Sequence, residues 1–308
     1  MGERSTVSLR GWLLCGAMAI LWGIPYLFIK EAVDSYSPAA IVAGRTLLGA
    51  ALLLPLALHR RALRPALAHW PWVLAFGAIE MAGPFLLLSH AEQTLSSGLT
   101  GLLVATVPLF AAVIALMRGD RGVLSPARAA GLGIGFAGVA VIVVGPGLDV
   151  SDADRALQSI AEVLLVAVLY AIAPFIVATK LAAVPALGTI TLSLLMVGVV
   201  YLPLGLLTQH EVPTVRSTVS LLALGVLCTA VAFVGFFALI REVGPVRAPL
   251  FTYVNPVVAI ALGVVVLGEP LSPGLLLGFP LVILGCWLAA TGGRLRRRPL
   301  AAGRLPVP

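Results

Sequence analysis

Residues Gly244 to Pro270, GPVRAPLFTYVNPVVAIALGVVVLGEP, decide the fold of this chain. Beyond Arg247 the stretch runs for about twenty residues without a charge, which is the length that a helix needs to cross a bilayer. Thr252, Tyr253 and Asn255 are its few polar residues, and Pro256 stands beside them. A similar order of residues occurs earlier in the chain, from Ser97 to Gly122. We therefore expect a membrane fold that the chain builds twice.

The composition supports a polytopic membrane protein. The 308 residues are 60% hydrophobic and 11% charged, with a mean hydropathy of +1.08, whereas soluble domains carry about 25% charged residues. The net charge of +7 does not indicate a nucleic-acid partner, because the basic residues are scattered between apolar runs without interleaved aromatic residues. The three cysteines and four histidines are equally scattered, so we expect neither a metal nor a cofactor.

Ten apolar segments account for most of the chain. Each is close to the length of a transmembrane helix, and the runs are too continuous for the strands of an outer-membrane barrel. The prediction is an all-α polytopic membrane protein with ten transmembrane helices, or spans, at about 11–30, 38–58, 71–90, 95–117, 124–145, 157–179, 187–208, 218–240, 246–267 and 273–291.

The basic residues predict the orientation of these spans. Three of the 20, Lys30, Arg155 and Arg216, fall on one side of the membrane, and Arg45 lies within span 2. The others fall on the side of the chain termini, which we call the arginine-rich side: Arg4, Arg10, Arg60, Arg61, Arg64, Arg118, Arg121, Arg128, Lys180, Arg241, Arg247, Arg294, Arg296, Arg297, Arg298 and Arg304. Because cytoplasmic loops are enriched in Lys and Arg, both termini are expected in the cytoplasm, and the opposite, arginine-poor side faces outwards.

An internal repeat relates the two halves of the chain. A shift of about 148 residues places one series of prolines, serines and glycines on another: Pro25 on Pro174, Pro55 on Pro203, Pro108 on Pro256, Ser125-Pro126 on Ser272-Pro273, and Gly131, Gly138 and Gly145 on Gly278, Gly285 and Gly292. The predicted units are 1–148 and 149–292, followed by a basic tail at 293–308. Each unit has five spans, an odd number, so the second copy is inserted upside down. Inverted repeats are the architecture of many secondary transporters, whose substrate sites lie near the midplane between the repeats.

The order of several short motifs resembles the EamA-like branch of the drug/metabolite transporter superfamily. These motifs are Leu21-Trp22-Gly23, Ser37-Pro38 followed by Arg45, Ser97-Gly98 leading to Pro108, Gly244-Pro245, Asn255-Pro256 and Leu267-Gly268-Glu269-Pro270. The first half departs from the family pattern, with Gly119-Asp120 where a glycine-glutamate pair is frequent. The resemblance implies a ten-span carrier that exports small metabolites, such as amino acids, across the plasma or inner membrane.

Other features of the function remain open at this point. A small-molecule substrate, protons and the bilayer are the expected partners, and both a monomer and a homodimer fit the sequence. We expect no enzymatic activity, but a channel and a membrane-embedded transferase are the alternatives. The one acidic cluster that a transferase would need for metal is Asp149, Asp152 and Asp154, in a short loop without catalytic partners.

Two charged residues inside spans are the first candidates for a substrate site. Ionisable groups within a bilayer are costly and therefore mark functional sites. Arg45 is about 10 Å deep in span 2 at 1.5 Å per residue, and Glu80 is near the middle of span 3. Their depths permit a direct ion pair or a joint site for a zwitterion. Arg45 would then bind a carboxylate, and Glu80 would bind an amine or carry a proton. The alternative is a structural ion pair that never contacts substrate.

Aromatic and amide side chains near the prolines are the second set of candidates. Trp22 and Tyr26 are four residues apart, which predicts a shared helix face next to a kink at Pro25. Tyr170 precedes Pro174 by one turn, and Tyr253 and Asn255 precede Pro256. These side chains either line a central cavity or satisfy carbonyls that the prolines free. The predicted site is asymmetric, with charges from the first half facing an aromatic and amide wall from the second half.

The remaining acidic residues are expected at the surface. Glu31 and Glu92 fall in loops and are predicted to be solvated. Glu269 is expected to stabilise the N-terminus of span 10. Glu162 is predicted one turn into span 6, where it would face an outer vestibule.

Overall fold

The computed structural model describes residues 8–120, 125–144, 153–244 and 248–292, and the regular elements in these ranges are all helical. In this part of the chain nine helices are long and apolar enough to cross a membrane, and Phe251–Leu267 forms a shorter apolar helix. The predicted all-α polytopic membrane protein is confirmed. The predicted tail at 293–308 and the loop residues Asp149 and Asp152 lie outside the described ranges.

Three of the first five spans are interrupted helices. Span 1 consists of two helices separated by a turn, span 3 contains one π-helical turn, and span 4 is again two helices. In chain order the elements are Leu9–Leu21 and Pro25–Ala32 (span 1), Pro38–His59 (span 2), a short helix Leu63–Ala68, Trp70–Gly77, Ala78–Ala82 and Gly83–Ala91 (span 3), Ser97–Val104 and Val107–Met117 (span 4), and Pro126–Val144 (span 5).

The second five spans repeat this arrangement with one difference. Spans 8 and 9 are interrupted, as spans 3 and 4 are, whereas span 6 is continuous. The elements are Ala153–Lys180 (span 6), Ala186–Thr208 (span 7), Val215–Gly225, Val226–Val231 and Ala232–Val243 (span 8), the 3₁₀ helix Ala248–Tyr253 and the helix Asn255–Leu267 (span 9), and Pro273–Thr291 (span 10).

Span 6 stays continuous although Pro174 corresponds to Pro25. The first copy carries Gly23 two residues before its proline, and the corresponding residue in span 6 is Ile172. Glycine weakens a helix by about 1 kcal/mol relative to alanine, so span 1 ends at Leu21 and starts again at Pro25. Span 6 instead holds Pro174 inside one helix.

Local features recur at matching positions of the two halves. Both span 3 and span 8 contain a π-helical turn, at Ala78–Ala82 and Val226–Val231. Gly119 and Gly268 end spans 4 and 9 with positive φ angles of 90° and 67°. Serine caps also begin spans 2 and 10, at positions that do not correspond under the repeat: Ser37 and Ser272 each accept a hydrogen bond from a backbone N–H three residues later, and each is followed by proline. These caps begin spans where the sequence predicts them.

Two pairs of helices join the halves along close contacts, which we call the seams. Span 2 packs on span 7, and span 5 packs on span 10. A Cβ atom on Gly285 would collide with the backbone of Gly135, and one on Gly138 would lie 2.8 Å from the Val282 nitrogen. Such spacing of small residues lets helix backbones approach closely in a membrane. The seams therefore hold the two halves together along two closely packed helix pairs.

Candidate functional site

Arg45 is buried between two spans of opposite halves. Its side chain is 7% exposed, and its Nε donates a hydrogen bond of 3.0 Å to Thr229 Oγ1 in span 8. The guanidinium carbon lies 3.8 Å from the centroid of the Phe85 ring in span 3, a cation–π contact. These contacts hold the guanidinium plane in place and leave its two terminal nitrogens for another ligand.

Within the described ranges Arg45 has no ion-pair partner. Ion pairs between other described residues include Arg10–Glu242, His90–Glu162 and Arg216–Glu31. The direct Arg45–Glu80 pair, one of the two arrangements that the sequence permits, is thus not formed. A buried cation without an anion is unfavourable.

Glu80 lies in the π-helical turn of span 3 and is half-buried. Tyr170 of span 6 lies within electrostatic range of Glu80, Arg45 and Tyr26. The structure therefore brings these four predicted residues into one region, which we call the Arg45 region, although Arg45 and Glu80 do not touch. π-Helical turns occur frequently at functional sites.

Sequence reasoning missed two residues of this region. Thr229 follows Glu80 by 149 residues in the numbering and lies in the matching π-helical turn of span 8. The repeat pointed to Thr229 as the counterpart of Glu80 but did not show that Arg45 would bind it. Phe85 gave no signal, because an apolar ring in an apolar run is indistinguishable from packing.

Trp22 and Tyr26 do not share a helix face, contrary to the prediction. The turn between the two helices of span 1 separates them. Trp22 belongs to an aromatic cluster with Phe233, Phe236 and Phe251, at centroid distances of 5.8, 5.0 and 5.4 Å. Tyr26 is 7% exposed and packs beside Gly101 in the core. Trp22 therefore lies outside the Arg45 region.

Asn255 and Tyr253 are placed at the break in span 9. With its amide oriented to satisfy its surroundings, Asn255 donates to the carbonyls of Ala19 and Phe251, each at 3.2 Å. Of its two predicted roles, the contacts match the repair of backbone groups. Tyr253 is half-buried and packs against the central core.

Contrary to the prediction, acidic residues on the arginine-poor side are not solvated, but form hydrogen bonds and ion pairs within the protein. The Glu31 side chain is 12% exposed and accepts hydrogen bonds from Arg216 Nη2 at 2.7 Å and from Ser220 Oγ at 2.5 Å. Glu269 accepts bonds from the Ser97 backbone at 2.8 Å and its hydroxyl at 2.9 Å. It therefore caps the N-terminus of span 4, where the helix dipole favours an anion, and not that of span 10.

Glu92 is the residue for which the prediction differs most from the structure. It is 0% exposed, and neither carboxylate oxygen has a hydrogen-bond partner. The nearby Lys30 ammonium donates to the backbone carbonyls of Glu92 and Leu95, at 2.6 and 3.0 Å. A loop residue is usually exposed, but here span 1 covers the loop.

Glu162 contacts two residues that line a pocket on the arginine-poor side, and it lies more than two turns into span 6, which begins at Ala153. Its carboxylate accepts from Gln158 at 2.9 Å and lies 2.8 Å from the Nδ1 atom of His90. The pocket has a volume of about 380 Å³ and is lined by His90, Gln93, Thr94, Arg155, Gln158 and Ser159. Across the described ranges, no three His, Cys, Asp or Glu side chains are placed to hold a metal ion.

Comparison with known proteins gives the family. The model of the EamA-like transporter family matches the chain twice, over residues 9–144 and 158–291. The chain belongs to the EamA-like transporter family. The predicted resemblance is confirmed, and the chain is a multi-pass membrane transporter.

Individual relatives are named as transporters. The chain is 28% identical over 260 residues to the uncharacterized inner membrane transporter YedA of Escherichia coli, covering 83% of this chain and 82% of YedA. It is 28% identical over 290 residues to a probable terminal-alkyne amino-acid exporter of Streptantibioticus cattleyicolor, covering 92% and 95% of the two chains. A solved structure at 21% identity shares the fold, with a TM-score of 0.63 over 91% of this chain and 96% of the other.

Proposed function

We propose that this EamA-family protein is a secondary transporter that exports small metabolites carrying a carboxylate, with amino acids or related compounds as the leading substrates. The observation that carries the proposal is the Arg45 guanidinium, which is buried, fixed by Thr229 and Phe85, and without an anion among the described residues. The name of the Streptantibioticus relative, a probable amino-acid exporter, supports this substrate class.

The Arg45 region suits a zwitterion. Arg45 would bind the carboxylate through its terminal nitrogens, since a guanidinium matches a carboxylate in geometry. Glu80 and the Tyr170 hydroxyl, within electrostatic range of each other, would face the amino group. Glu80 is also the candidate for proton exchange within the membrane, because a charged carboxylate inside a membrane span is costly.

The interrupted helices suggest how access alternates. Because the seams fix span 2 to span 7 and span 5 to span 10, we place the movement in spans 1, 3, 4, 8 and 9, which have breaks or π-helical turns. Bending at these points would open the Arg45 region to one side at a time. Transport of this kind requires neither a cofactor nor catalysis.

The charge distribution supports placement in the plasma or inner membrane with both termini in the cytoplasm. Arg155 and Arg216 would then lie on the outer side of the membrane, and Arg60, Arg64 and Arg241 on the cytoplasmic side. The protein would act as a monomer or a homodimer.

Counterflow in proteoliposomes tests the function. Purified protein is reconstituted, loaded with one unlabelled metabolite of a panel, and tested for exchange with labelled external metabolite, with and without a pH gradient. We expect exchange of carboxylated substrates that saturates with concentration. A channel would let the metabolites pass without counterflow. If the protein exchanged none of the carboxylated compounds, the proposal would be contradicted.

The Glu80→Gln variant tests proton exchange within the same assay. If Glu80 carries the proton, the variant still exchanges substrate but no longer responds to the pH gradient. Glu211→Gln is the control, because Glu211 is an exposed carboxylate on the arginine-poor side. An unchanged pH response in Glu80→Gln excludes this role.

A further inference from the structure

Glu92 is a buried acid that has no role in the proposed transport through the Arg45 region. It follows the last residue of span 3 and is fully enclosed, together with Leu95 at 3% and Ser97 at 0% exposure. The arginine-poor end of the fold is thus closed around this loop. Neither Glu92 carboxylate oxygen receives a hydrogen bond.

The charges around Glu92 do not neutralise it directly. The cation that contacts this loop is Lys30 of span 1. Its ammonium donates hydrogen bonds to the backbone carbonyls of Glu92 and Leu95 and not to the Glu92 carboxylate. Arg45 of span 2 and Glu269 beyond span 9 act on Glu92 electrostatically, and so does the Tyr26 hydroxyl of span 1.

We propose that Glu92 is a proton-binding site of the arginine-poor end, which holds a proton while this end is closed and releases it when the end opens. While the arginine-poor end is closed, the Glu92 carboxyl is a neutral acid that span 1 covers. When the Lys30 bonds break and water enters, the O–H bond ionises, leaving a carboxylate on Glu92 and passing the proton to water. Acid on the arginine-poor side therefore favours the closed end.

Electrostatics agree with the geometry. Burial raises the pKa of the Glu92 carboxyl well above its usual range, and Glu269 adds to the rise, whereas Lys30 and Arg45 oppose it. An ionised carboxylate in this place would have lost its water without gaining a donor. Neutralisation by a proton removes that cost.

A metal cation is a poorer occupant than a proton. A calcium ion needs about six to eight oxygen ligands, whereas the Glu92 and Leu95 carbonyls of this loop already accept hydrogen bonds from Lys30. The described ranges also contain no group of three side chains suited to a metal at this end.

Infrared spectroscopy of the full-length protein in lipid tests the proposal without relying on transport. A protonated carboxyl group has a carbonyl stretch that an ionised one lacks. At neutral pH we expect this band in the unmodified protein, a loss of one carboxyl's intensity in Glu92→Gln, and no loss in the exposed control Glu211→Gln. Glu80→Gln is measured in parallel, so that the signal of the Glu80 carboxyl is assigned separately.

Glu92→Asp guards against a variant that fails to fold. It keeps a carboxyl group in the same place, so the band is expected to shift in frequency and not to disappear. Each variant is required to elute as a single species before its spectrum is recorded. An infrared band that is the same in Glu92→Gln and the unmodified protein at every pH would overturn the proposal, as would an ionised Glu92 that binds sodium.

Discussion

At the scale of single residues, our two proposals rest on two polar groups that the fold removes from water, Arg45 and Glu92. Arg45 is held by one hydroxyl and one aromatic ring, which fix its position but leave its charge uncompensated within the described residues. Glu92 is enclosed by the chain around it, and neither of its carboxylate oxygens has a hydrogen-bond partner among the described residues. The first arrangement suits an anionic ligand, and the second suits a proton.

Replacing Arg45 by lysine separates charge from geometry. Arg45→Lys keeps the charge but loses the planar donors and the stacking on Phe85. We expect the affinity for carboxylated substrates to fall about tenfold, which corresponds to roughly 1.4 kcal/mol, the size of one hydrogen bond to a charged group. Counterflow competition measures the affinity.

Two controls accompany the Arg45 variant. Arg60→Lys, at an exposed position at the end of the same span, is expected to leave affinity unchanged. A substrate amide, which has no carboxylate, should compete equally weakly against both proteins. Full affinity of Arg45→Lys for every carboxylated substrate would show that the guanidinium is not a ligand.

Glu92 is expected to make stability depend on pH. Its pKa in the folded protein is well above the usual range, so between about pH 4.3, the unperturbed value, and the raised pKa the folded form holds a proton that the unfolded form has lost. Stability therefore falls as the pH rises through this window, by at most about 1.4 kcal/mol per pH unit. Thermal unfolding in detergent measures the effect.

The comparison with Glu92→Gln isolates this contribution. The glutamine is neutral at every pH, so the variant and the unmodified protein should unfold at similar temperatures in acid. At alkaline pH the variant is expected to be the more stable of the two. Parallel curves over the whole pH range would mean that Glu92 does not bind a proton in the folded state.

At the scale of helices, breaks in one half are repaired by side chains from the other. Asn255 of span 9 donates to Ala19 of span 1, next to the turn that follows Leu21. The thiol of Cys286 in span 10 donates to the carbonyl of Ala105, where span 4 is interrupted. A carbonyl exposed by a break must find a partner inside a bilayer, so the two copies depend on each other for more than packing.

The seam between spans 5 and 10 predicts a strong effect of one methyl group. In Gly285→Ala the new Cβ would collide with the Gly135 backbone, which cannot move aside as a side chain does. We expect the variant to be destabilised by about 1–3 kcal/mol, as overpacked cores are. The thermal unfolding temperature in detergent reports the loss.

Gly133→Ala is the matched control for this seam. Gly133 is on span 5 as well, but nothing lies within 4 Å of a Cβ placed there. The variant should be as stable as the unmodified protein or slightly more so, because alanine favours a helix by about 1 kcal/mol over glycine. Equal stability of Gly285→Ala and Gly133→Ala would contradict the close contact of the seam.

At the scale of the whole molecule, two seams join the halves, and we expect the movement of transport in the remaining spans. The seams run through spans 2, 5, 7 and 10, which are continuous helices. Span 4 begins on the arginine-poor side, where Glu269 caps it, and it is one of the helices with a break. Opening of this side is therefore expected to separate span 4 from span 9.

A disulfide between spans 4 and 9 is expected to stop transport. A Cβ on Gly98 would lie 3.6 Å from the Ile260 Cβ, a distance that a disulfide spans. The pair Gly98→Cys and Ile260→Cys, made without the three native cysteines, should lose counterflow on oxidation and regain it on reduction.

A disulfide in the seam provides the comparison. The Ser37 and Thr208 hydroxyl oxygens of spans 2 and 7 are 2.9 Å apart, so Ser37→Cys with Thr208→Cys should also cross-link. Because these spans stay together, oxidation is expected to leave counterflow intact. If the bond between spans 4 and 9 is equally harmless, this end does not open there.

The sequence by itself determined the features that depend on local order. Apolar runs of bilayer length predicted the spans, including the starts of spans 2 and 10 at Pro38 and Pro273, and the proline and glycine series predicted the repeat. Charge within an apolar run singled out Arg45 and Glu80. Each of these signals can be read from neighbouring residues, because the bilayer imposes the same constraint on every span.

Only the tertiary structure decided which groups meet. Thr229 and Phe85 reach Arg45 from spans 8 and 3, Glu269 caps a helix about 170 residues earlier in the sequence, and Glu92 is buried although it lies in a loop. Trp22 and Tyr26 were separated by a helix break that their spacing did not reveal. The physical reason is that burial and pairing depend on which helix faces pack against each other across the two halves. These contacts join residues that are far apart in the sequence, so the neighbours of a residue along the chain do not indicate them.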